Sequence, residues 1–205
     1  MKYRLSVSDL LRELEDWDKH LKRKVLVVAC GGTALTLKGY KESTKDVDFM
    51  VPIENQYAHL TKTLNSLRYE FLGNADWKHP NGRYIFQLWG GQTLFYTSLL
   101  EPVSESHMHS VHVSMKRLTL AMLNSHDLII SKMFRGDLVD EEDSALLIKS
   151  ESIDLVALVE RYIETAAFQI NPEKCKLNLK YLLTRLDDTG IETSALWSRY
   201  KEWIP

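Results

Sequence analysis

Two aspartates separated by one residue, Asp46 and Asp48, are the side chains of this sequence best suited to chemistry. They lie in an apolar run that predicts a β-strand, and residues i and i+2 of a strand point to the same face. Two carboxylates so placed offer hard oxygen ligands to Mg²⁺ or Mn²⁺, which bind best when substrate phosphates complete the shell. The pair therefore predicts a metal site suited to phosphoryl transfer.

A pair of glycines, Gly31 and Gly32, precedes the aspartates. They follow an apolar run at 25–30 that predicts a buried strand, and a short helix is predicted over 33–37. Backbone N–H groups exposed at such a turn favour an anion, and Thr33 adds a hydroxyl group. Taken alone, an Asp-x-Asp pair is usually two solvated acids with no function, and a Gly-Gly pair after a strand is usually only a turn. Together they predict that Gly31, Gly32 and Thr33 hold the phosphates of a metal-bound nucleotide.

Composition narrows the class of protein. The 205 residues suit one compound domain or a core domain with a smaller one appended. The net charge of −2 gives no overall basic excess for nonspecific nucleic-acid binding, although interspersed acids and bases leave room for a local basic face. Two distant cysteines, Cys30 and Cys175, indicate a reducing compartment. With no apolar signal core and no long apolar stretch, we expect a soluble, cytoplasmic protein with no membrane segment.

The periodicity of apolar residues predicts the elements that position these residues. We expect a helix from Ser8, strands at 25–30 and 46–51, and a helix at 56–67. A β-hairpin is predicted from 84–89 and 93–97, closed by a Gly-Gly turn, with a further strand at 111–115. Helices follow at 125–134, 140–149, 153–168, 173–187 and 193–203. The predicted fold is α/β or α+β, with a mixed sheet and flanking helices over 1–117 and a helical domain over 118–205.

The glycine and aspartate motifs carry a family resemblance. The segment 31–35, Gly-Gly-Thr-Ala-Leu, followed by Ser-Thr-Lys-Asp-Val-Asp-Phe at 43–49, resembles the signature of the polymerase-β-like nucleotidyltransferase superfamily. It is also similar to stand-alone prokaryotic nucleotidyltransferases, whose relatives include toxins of toxin–antitoxin and abortive-infection systems. A second stretch, Lys132 and Arg135 followed by Asp140 and Asp143, resembles the Lys-x-x-Arg helix and acidic pair of these proteins.

The resemblance implies a magnesium- or manganese-dependent transferase that moves a nucleoside monophosphate from an NTP such as ATP to an acceptor hydroxyl. The acceptor would be an RNA such as tRNA or a protein, and an antitoxin is an implied partner. Asp46 and Asp48 would be the catalytic metal ligands, and Lys132 would reach the nucleotide. The alternative for Lys132 is a surface lysine whose stem packs along the protein. The nucleotide, the acceptor and the oligomeric state stay open.

One part of the family pattern is not evident. The superfamily usually has a third carboxylate on a later strand, and the predicted hairpin places that position at Thr93, with Glu101 the nearest acid. A catalytically weak nucleotide-binding or interaction module on the same fold is therefore the alternative function. A histidine cluster at 107, 109 and 112 is open to two interpretations, a transition-metal site or a polar hairpin end.

Overall fold

The computed structural model describes residues 4–91, 93–94, 97–98 and 108–205. The chain divides into two compact units, Met1–Asn124 and Ser125–Pro205. The first contains a mixed sheet with helices and the second is helical, as the predicted α+β class requires. The division falls after residue 124 and not after 117, because 118–123 forms a strand of the sheet.

The first unit is built on a seven-stranded sheet. Its strands are β1 (Val25–Ala29), β2 (Val47–Val51), β3 (Glu70–Gly73), β4 (Asp76–Lys78), β5 (Phe86–Gly90), β8 (Met108–Ser110) and β9 (Leu118–Leu123), in the order β3-β4-β5-β2-β1-β9-β8. Strand β1 is antiparallel to β2 and parallel to β9, while β2 is parallel to β5. Two short strands, β6 (Thr93–Leu94) and β7 (Thr97–Ser98), pair with each other.

Three helices accompany the sheet, α1 (Val7–His20), α2 (Gly31–Leu37) and α3 (Glu54–Ser66). The apolar stripe of α1 ends at Trp17, which is fully buried with its ring centroid 4.8 Å from that of Phe86. The Trp17 indole also donates to the Tyr69 hydroxyl over 3.0 Å. Phe86 pairs with Val47 in the sheet, so this aromatic cluster supports the buried face of β2. Burial of large aromatic side chains dominates core energetics.

Two predicted elements are wrong. The hairpin does not form, because β5 pairs with β2 and β4, whereas Thr93–Leu94 pairs with Thr97–Ser98. Gly91, with φ +77°, instead donates its N–H to the Val51 carbonyl over 3.0 Å at the end of β2. The strand predicted at 111–115 lies earlier, at Met108–Ser110. Sequence patterns also missed β3, β4 and β9.

The second unit contains the five helices predicted there: α4 (Ser125–Arg135), α5 (Leu138–Ser150), α6 (Leu155–Ala166), α7 (Pro172–Asp188) and α8 (Ser194–Arg199). Capping residues explain two of the boundaries, since Asp154 accepts from the N–H groups of Val156 and Ala157, each over 3.0 Å. Asn171 accepts from Lys174 N–H at the start of α7. None of the helices in the described ranges is long and apolar enough to span a bilayer.

Candidate functional site

Asp48 lies where β1, α2 and β2 meet. Its backbone carbonyl accepts the Cys30 N–H over 3.0 Å, which fixes it to the end of β1. Its own N–H donates to the Thr33 hydroxyl over 2.9 Å, which fixes it to α2. The Asp48 side chain is 7% exposed, whereas Asp46 is exposed and lies one residue before β2. The two aspartates therefore come from one short segment, one at the surface and one in the sheet.

Threonine hydroxyls hold the backbone of this segment. Thr33 is fully buried, accepts from Asp48 N–H and donates to the Asp46 carbonyl over 3.4 Å. Thr44 donates to the same carbonyl over 2.8 Å. Thr44 is in turn paired with Leu5 by two backbone hydrogen bonds of 2.7 and 3.0 Å. The Thr33 hydroxyl, predicted as a phosphate ligand, thus has two backbone partners and positions the aspartates.

Both glycines are required by close approach. Gly31 has φ +51°, a left-handed conformation, and a Cβ atom there would lie 2.5 Å from Asp48 Oδ2. A Cβ atom at Gly32 would lie 2.9 Å from the Thr44 hydroxyl oxygen. The Asp48 carboxylate therefore lies directly against the start of α2, in space that a side chain would fill. The structure brings Gly31, Gly32 and Thr33 together with the aspartate segment, as the sequence predicts.

Electrostatics around Asp48 bear on which ligands the site offers. The Cys30 thiol is fully buried next to it, and burial together with the negative charge of Asp48 raises the pKa of this thiol well above its ordinary value. The Cys30 thiol donates to the Val28 carbonyl over 3.2 Å. The donors left in the segment are carboxylate oxygens, which suit Mg²⁺ or Mn²⁺ better than soft metals.

A row of polar side chains crosses three strands beside Asp48. Asp48 pairs with Gln87 on β5, and Gln87 pairs with Asp76 on β4. Residues paired in register share a face of the sheet. The Gln87 side-chain amide donates to Asp76 Oδ1 over 2.8 Å, which leaves its carbonyl oxygen as the remaining acceptor. Sequence analysis missed Gln87 and Asp76, because their relation to Asp48 depends on strand pairing.

This row corrects the expected place of a third carboxylate. The strand next to β2 is β5, and its residue opposite Asp48 is the neutral Gln87. Asp76 lies one strand farther, roughly 9–10 Å from the β2 backbone at ordinary strand spacing. Within the described ranges, no three residues among His, Cys, Asp and Glu form a group that could hold a metal. The hard oxygens of Asp46 and Asp48 still fit a magnesium ion that takes its other ligands from phosphates and water.

Lys132 occupies a buried ionic cluster in the helical unit. Its side chain is 3% exposed, and its ammonium group lies 2.7 Å from Asp143 Oδ2 and 3.3 Å from Asp140 Oδ1. Arg135 donates to both Asp140 oxygens, over 2.7 and 2.5 Å. Burial raises the pKa of Asp140, but these hydrogen bonds and the two positive charges lower it overall. Lys132 is therefore not a solvated surface lysine, and its charge already has two carboxylate partners.

Other residues singled out in the sequence are placed as follows. Glu101 and His107 lie outside the described residues. His109 and His112 are exposed and line a cavity beside β1 and β8.

Comparisons with known proteins were made for the whole chain. A family model described as "Nucleotidyltransferase of unknown function (DUF6036)" matches residues 5–188. A crystal structure of a candidate nucleotidyltransferase from Thermotoga maritima is 15% identical, with a TM-score of 0.45, and the match covers 69% of this chain and 93% of that one. An antigenic nucleotidyltransferase-like protein from Paracoccidioides brasiliensis is 13% identical, with a TM-score of 0.48 and coverage of 96% and 100%. No curated protein matches. The family match confirms the resemblance found in the motifs.

Substitution at Gly31 tests the close approach of Asp48. Gly31→Ala should displace the Asp48 carboxylate and abolish Mn²⁺ binding, because the new Cβ would lie 2.5 Å from Oδ2. The matched control is Gly39→Ala, since Gly39 also has positive φ (+82°) but nothing within 4 Å of a Cβ. Both should lose about 1–2 kcal/mol from left-handed backbone strain. Calorimetric Mn²⁺ titration and urea unfolding measure the two effects, and equal Mn²⁺ binding by both variants would contradict the assignment.

Substitution at Lys132 separates a structural role from nucleotide contact. Lys132→Met leaves Asp140 and Asp143 buried without their shared cation, which should cost about 3–5 kcal/mol. Lys132→Met/Asp143→Asn should recover part of this loss in urea unfolding.

Since the folded pKa of Asp140 is lowered, its charge stabilises the wild type above pH about 4. That contribution is lost as the pH falls through the folded pKa, so the effect of Lys132→Met should shrink in acid. Weaker ATP binding at unchanged stability would instead indicate nucleotide contact.

Proposed function

We propose, from the fact that this chain belongs to a family of nucleotidyltransferases of unknown function, that it transfers a nucleoside monophosphate from an NTP to an acceptor hydroxyl. The observation that carries the proposal is the Asp48 carboxylate packed against the side-chain-free turn at Gly31, with Asp46 two residues before it. This arrangement offers carboxylate oxygens as metal ligands directly beside the turn that begins α2.

Each site residue then has a role in the proposed reaction. Asp46 and Asp48 would hold Mg²⁺ or Mn²⁺, which when bound neutralises charge on the triphosphate and the leaving pyrophosphate. Gly31 and Gly32 let the Asp48 carboxylate and the Thr44 hydroxyl approach the backbone at the start of α2, and the N–H groups of this turn would contact the phosphates. Thr33 keeps α2 and the aspartate segment in register through its two backbone hydrogen bonds. Positioning of this kind supplies most of the catalysis in phosphoryl transfer, because it prepays orientation entropy.

A specific observation favours a second candidate function. Gln87, opposite Asp48 on the neighbouring strand, is neutral and cannot take a proton from an acceptor hydroxyl. A site with this composition can bind metal and nucleotide while transfer is slow. The second candidate is therefore a nucleotide-binding module with weak or no turnover.

The finer parts of the proposal rest on the sequence resemblance alone. We include among them ATP as a nucleotide, an acceptor on an RNA such as tRNA or on a protein, an antitoxin partner and a cytoplasmic location. Growth of cells that express the chain with and without a neighbouring gene tests the toxin role, and harmless expression would contradict it.

A transfer assay tests the main function. The wild type, incubated with Mg²⁺, α-labelled NTPs and a cell extract of RNA and protein, should move label into a macromolecule. Asp46→Asn/Asp48→Asn should reduce transfer by more than about 100-fold, since changing outer-shell partners of a metal alone costs 10–100-fold. Glu15→Gln/Asp188→Asn removes two exposed acids and serves as the charge-matched control. Label transfer that persists in the aspartate variant would contradict the site.

A carboxylate swap decides between the two candidates. Gln87→Glu/Asp76→Asn moves one carboxylate from β4 to β5, one strand closer to Asp48. The double variant keeps the net charge and a side-chain hydrogen bond between positions 87 and 76. We expect Mn²⁺ to bind about tenfold more tightly, a gain of about 1.4 kcal/mol from an added anionic ligand. A simultaneous gain in transfer rate indicates that the wild type lacks a base. Gln56→Glu adds a carboxylate elsewhere in the same unit, and an equal response in that control would contradict the role of the row.

A further inference from the structure

One end of the first unit carries exposed cationic side chains, which we call the basic end. They come from the segment before β1, from α3 and from the segment before β9, and are Lys22, Arg23, Lys24, Lys62, Lys116 and Arg117. None of them makes an ion pair with another described residue, whereas Lys19 and Arg12 nearby in sequence pair with Asp16 and Asp9. Unpaired cations that are brought together repel one another, so their clustering is a feature to be explained.

The sheet topology gathers these residues. Strands β1 and β9 are parallel, with Val25 opposite Leu118, so the segments that precede them lie at the same end. The Val25 N–H donates to the Arg117 carbonyl over 2.8 Å, which joins the two segments. Helix α3 reaches the same place, because the Lys22 N–H donates to His59 Nε2 over 3.2 Å. Lys62 follows one helical turn beyond His59.

A buried acid, Asp18, is hydrogen-bonded to the backbone at this end and makes no salt bridge with these cations. Asp18 is 8% exposed and accepts the backbone N–H groups of residues 116, 117 and 118 over 3.0, 2.6 and 2.7 Å. Burial raises the pKa of Asp18, but these hydrogen bonds and the charge of Arg117 lower it overall. Asp18 therefore joins α1 to the start of β9, and its carboxylate accepts hydrogen bonds from three backbone N–H groups.

His59 responds to the positive potential. Burial, followed by the charges of Arg23, Lys22 and Lys62, lowers the pKa of its imidazole. His59 accepts a backbone hydrogen bond through Nε2, as a neutral imidazole does. Cations from two different elements thus act on one group, which agrees with their clustering in space.

A cavity opens beside this cluster. It has a volume of about 710 Å³ and is lined by Lys24 together with polar side chains of α3, β8, β9 and the segment between β8 and β9, which are Gln56, His109, Ser110, His112 and Thr119. The described residues of the lining include one fixed cation and several hydrogen-bond donors but no carboxylate. Among the described residues, no three-residue group that could hold a metal occurs here. The lining instead suits an anion with several oxygen acceptors.

We propose that the basic end and its cavity bind the sugar–phosphate backbone of a nucleic acid, at a site separate from the aspartate pair. Exposed Lys and Arg side chains on three segments, none with an ion-pair partner among the described residues, match a chain of phosphates, which gains affinity by releasing counterions. Asp48 lies at the opposite end of β1, and five residues of strand separate the two ends by roughly 16 Å. The proposal does not depend on nucleotidyl transfer.

Binding of labelled oligonucleotides tests the proposal without NTP or metal. Fluorescence anisotropy with single-stranded and duplex RNA and DNA should show binding that weakens as salt increases. Lys22→Gln/Arg23→Gln/Lys24→Gln should weaken binding about tenfold or more and reduce the slope of log K against log salt by about 2, at about 0.7 per phosphate contact. Lys62→Glu/Lys116→Glu should weaken it as well, because the site spans three segments. A preference for RNA would add a 2′-hydroxyl contact, and equal binding of RNA and DNA would indicate phosphate recognition alone.

Control variants make the outcome decisive. Arg12→Gln/Lys149→Gln/Lys201→Gln removes three exposed positive charges elsewhere and should leave binding within about twofold, since only contacting cations release counterions. Asp46→Asn/Asp48→Asn should bind the oligonucleotides as the wild type does. A loss of nucleic-acid binding at the basic end can thus be distinguished from a loss of nucleotidyl transfer at the aspartates. Thermal unfolding verifies that every variant is folded. Equal weakening by the control triple, salt-independent binding, or no binding by the wild type would each overturn the proposal, as would stronger binding of polyglutamate than of any nucleic acid.

Discussion

The proposed site depends on the contact between the Asp48 carboxylate and the backbone of Gly31. Only a residue without a side chain leaves room for Asp48 Oδ2 at this point, and the φ of +51° adds a second reason for glycine. The contact determines where α2 starts relative to β2. The Thr33 hydroxyl then joins the two elements, and the end of β1 is attached through the Cys30 N–H. These hydrogen bonds hold the backbone on both sides of the carboxylate and so fix its position.

The polar row Asp48–Gln87–Asp76 determines how much chemistry this frame can support. A carboxylate opposite Asp48 would add repulsion that only bound metal could relieve. Gln87 avoids that repulsion, and its amide is oriented by Asp76 so that a carbonyl oxygen remains available. Position 87 therefore adds no negative charge to this row and also offers no group that could accept a proton. A neutral residue at position 87 is thus compatible with binding of metal and nucleotide, whereas nucleotidyl transfer would favour a carboxylate there.

Sequence analysis succeeded where structure is local and failed where it depends on pairing. Gly31, Gly32, Asp46 and Asp48 lie within one strand–helix–strand segment, so motif and periodicity predicted that they lie close together; their role as a site stays a prediction. The five C-terminal helices were found because their caps and apolar periods are local as well. The hairpin after Gly90 was wrong because the apolar run of β5 has its partner in β2, far away in sequence. Gln87 could not be recognised for the same reason. Lys132 was seen as a motif residue, but its burial between two acids follows from helix packing.

The near-neutral net charge conceals a segregation of charge along β1. The aspartate pair lies beyond the carboxyl end of the strand and the unpaired cations lie before its amino end. Parallel pairing of β1 with β9 is what adds Lys116 and Arg117 to the cationic side, because both strands begin at that edge. A strand is stiff over five residues, so the two charged regions stay at a fixed separation. The Debye length at physiological salt is about 8 Å, shorter than this separation, so an anion at one end is largely screened from the other. A polyanion at the basic end therefore need not compete with a triphosphate at Asp48, and the same short strand can serve both.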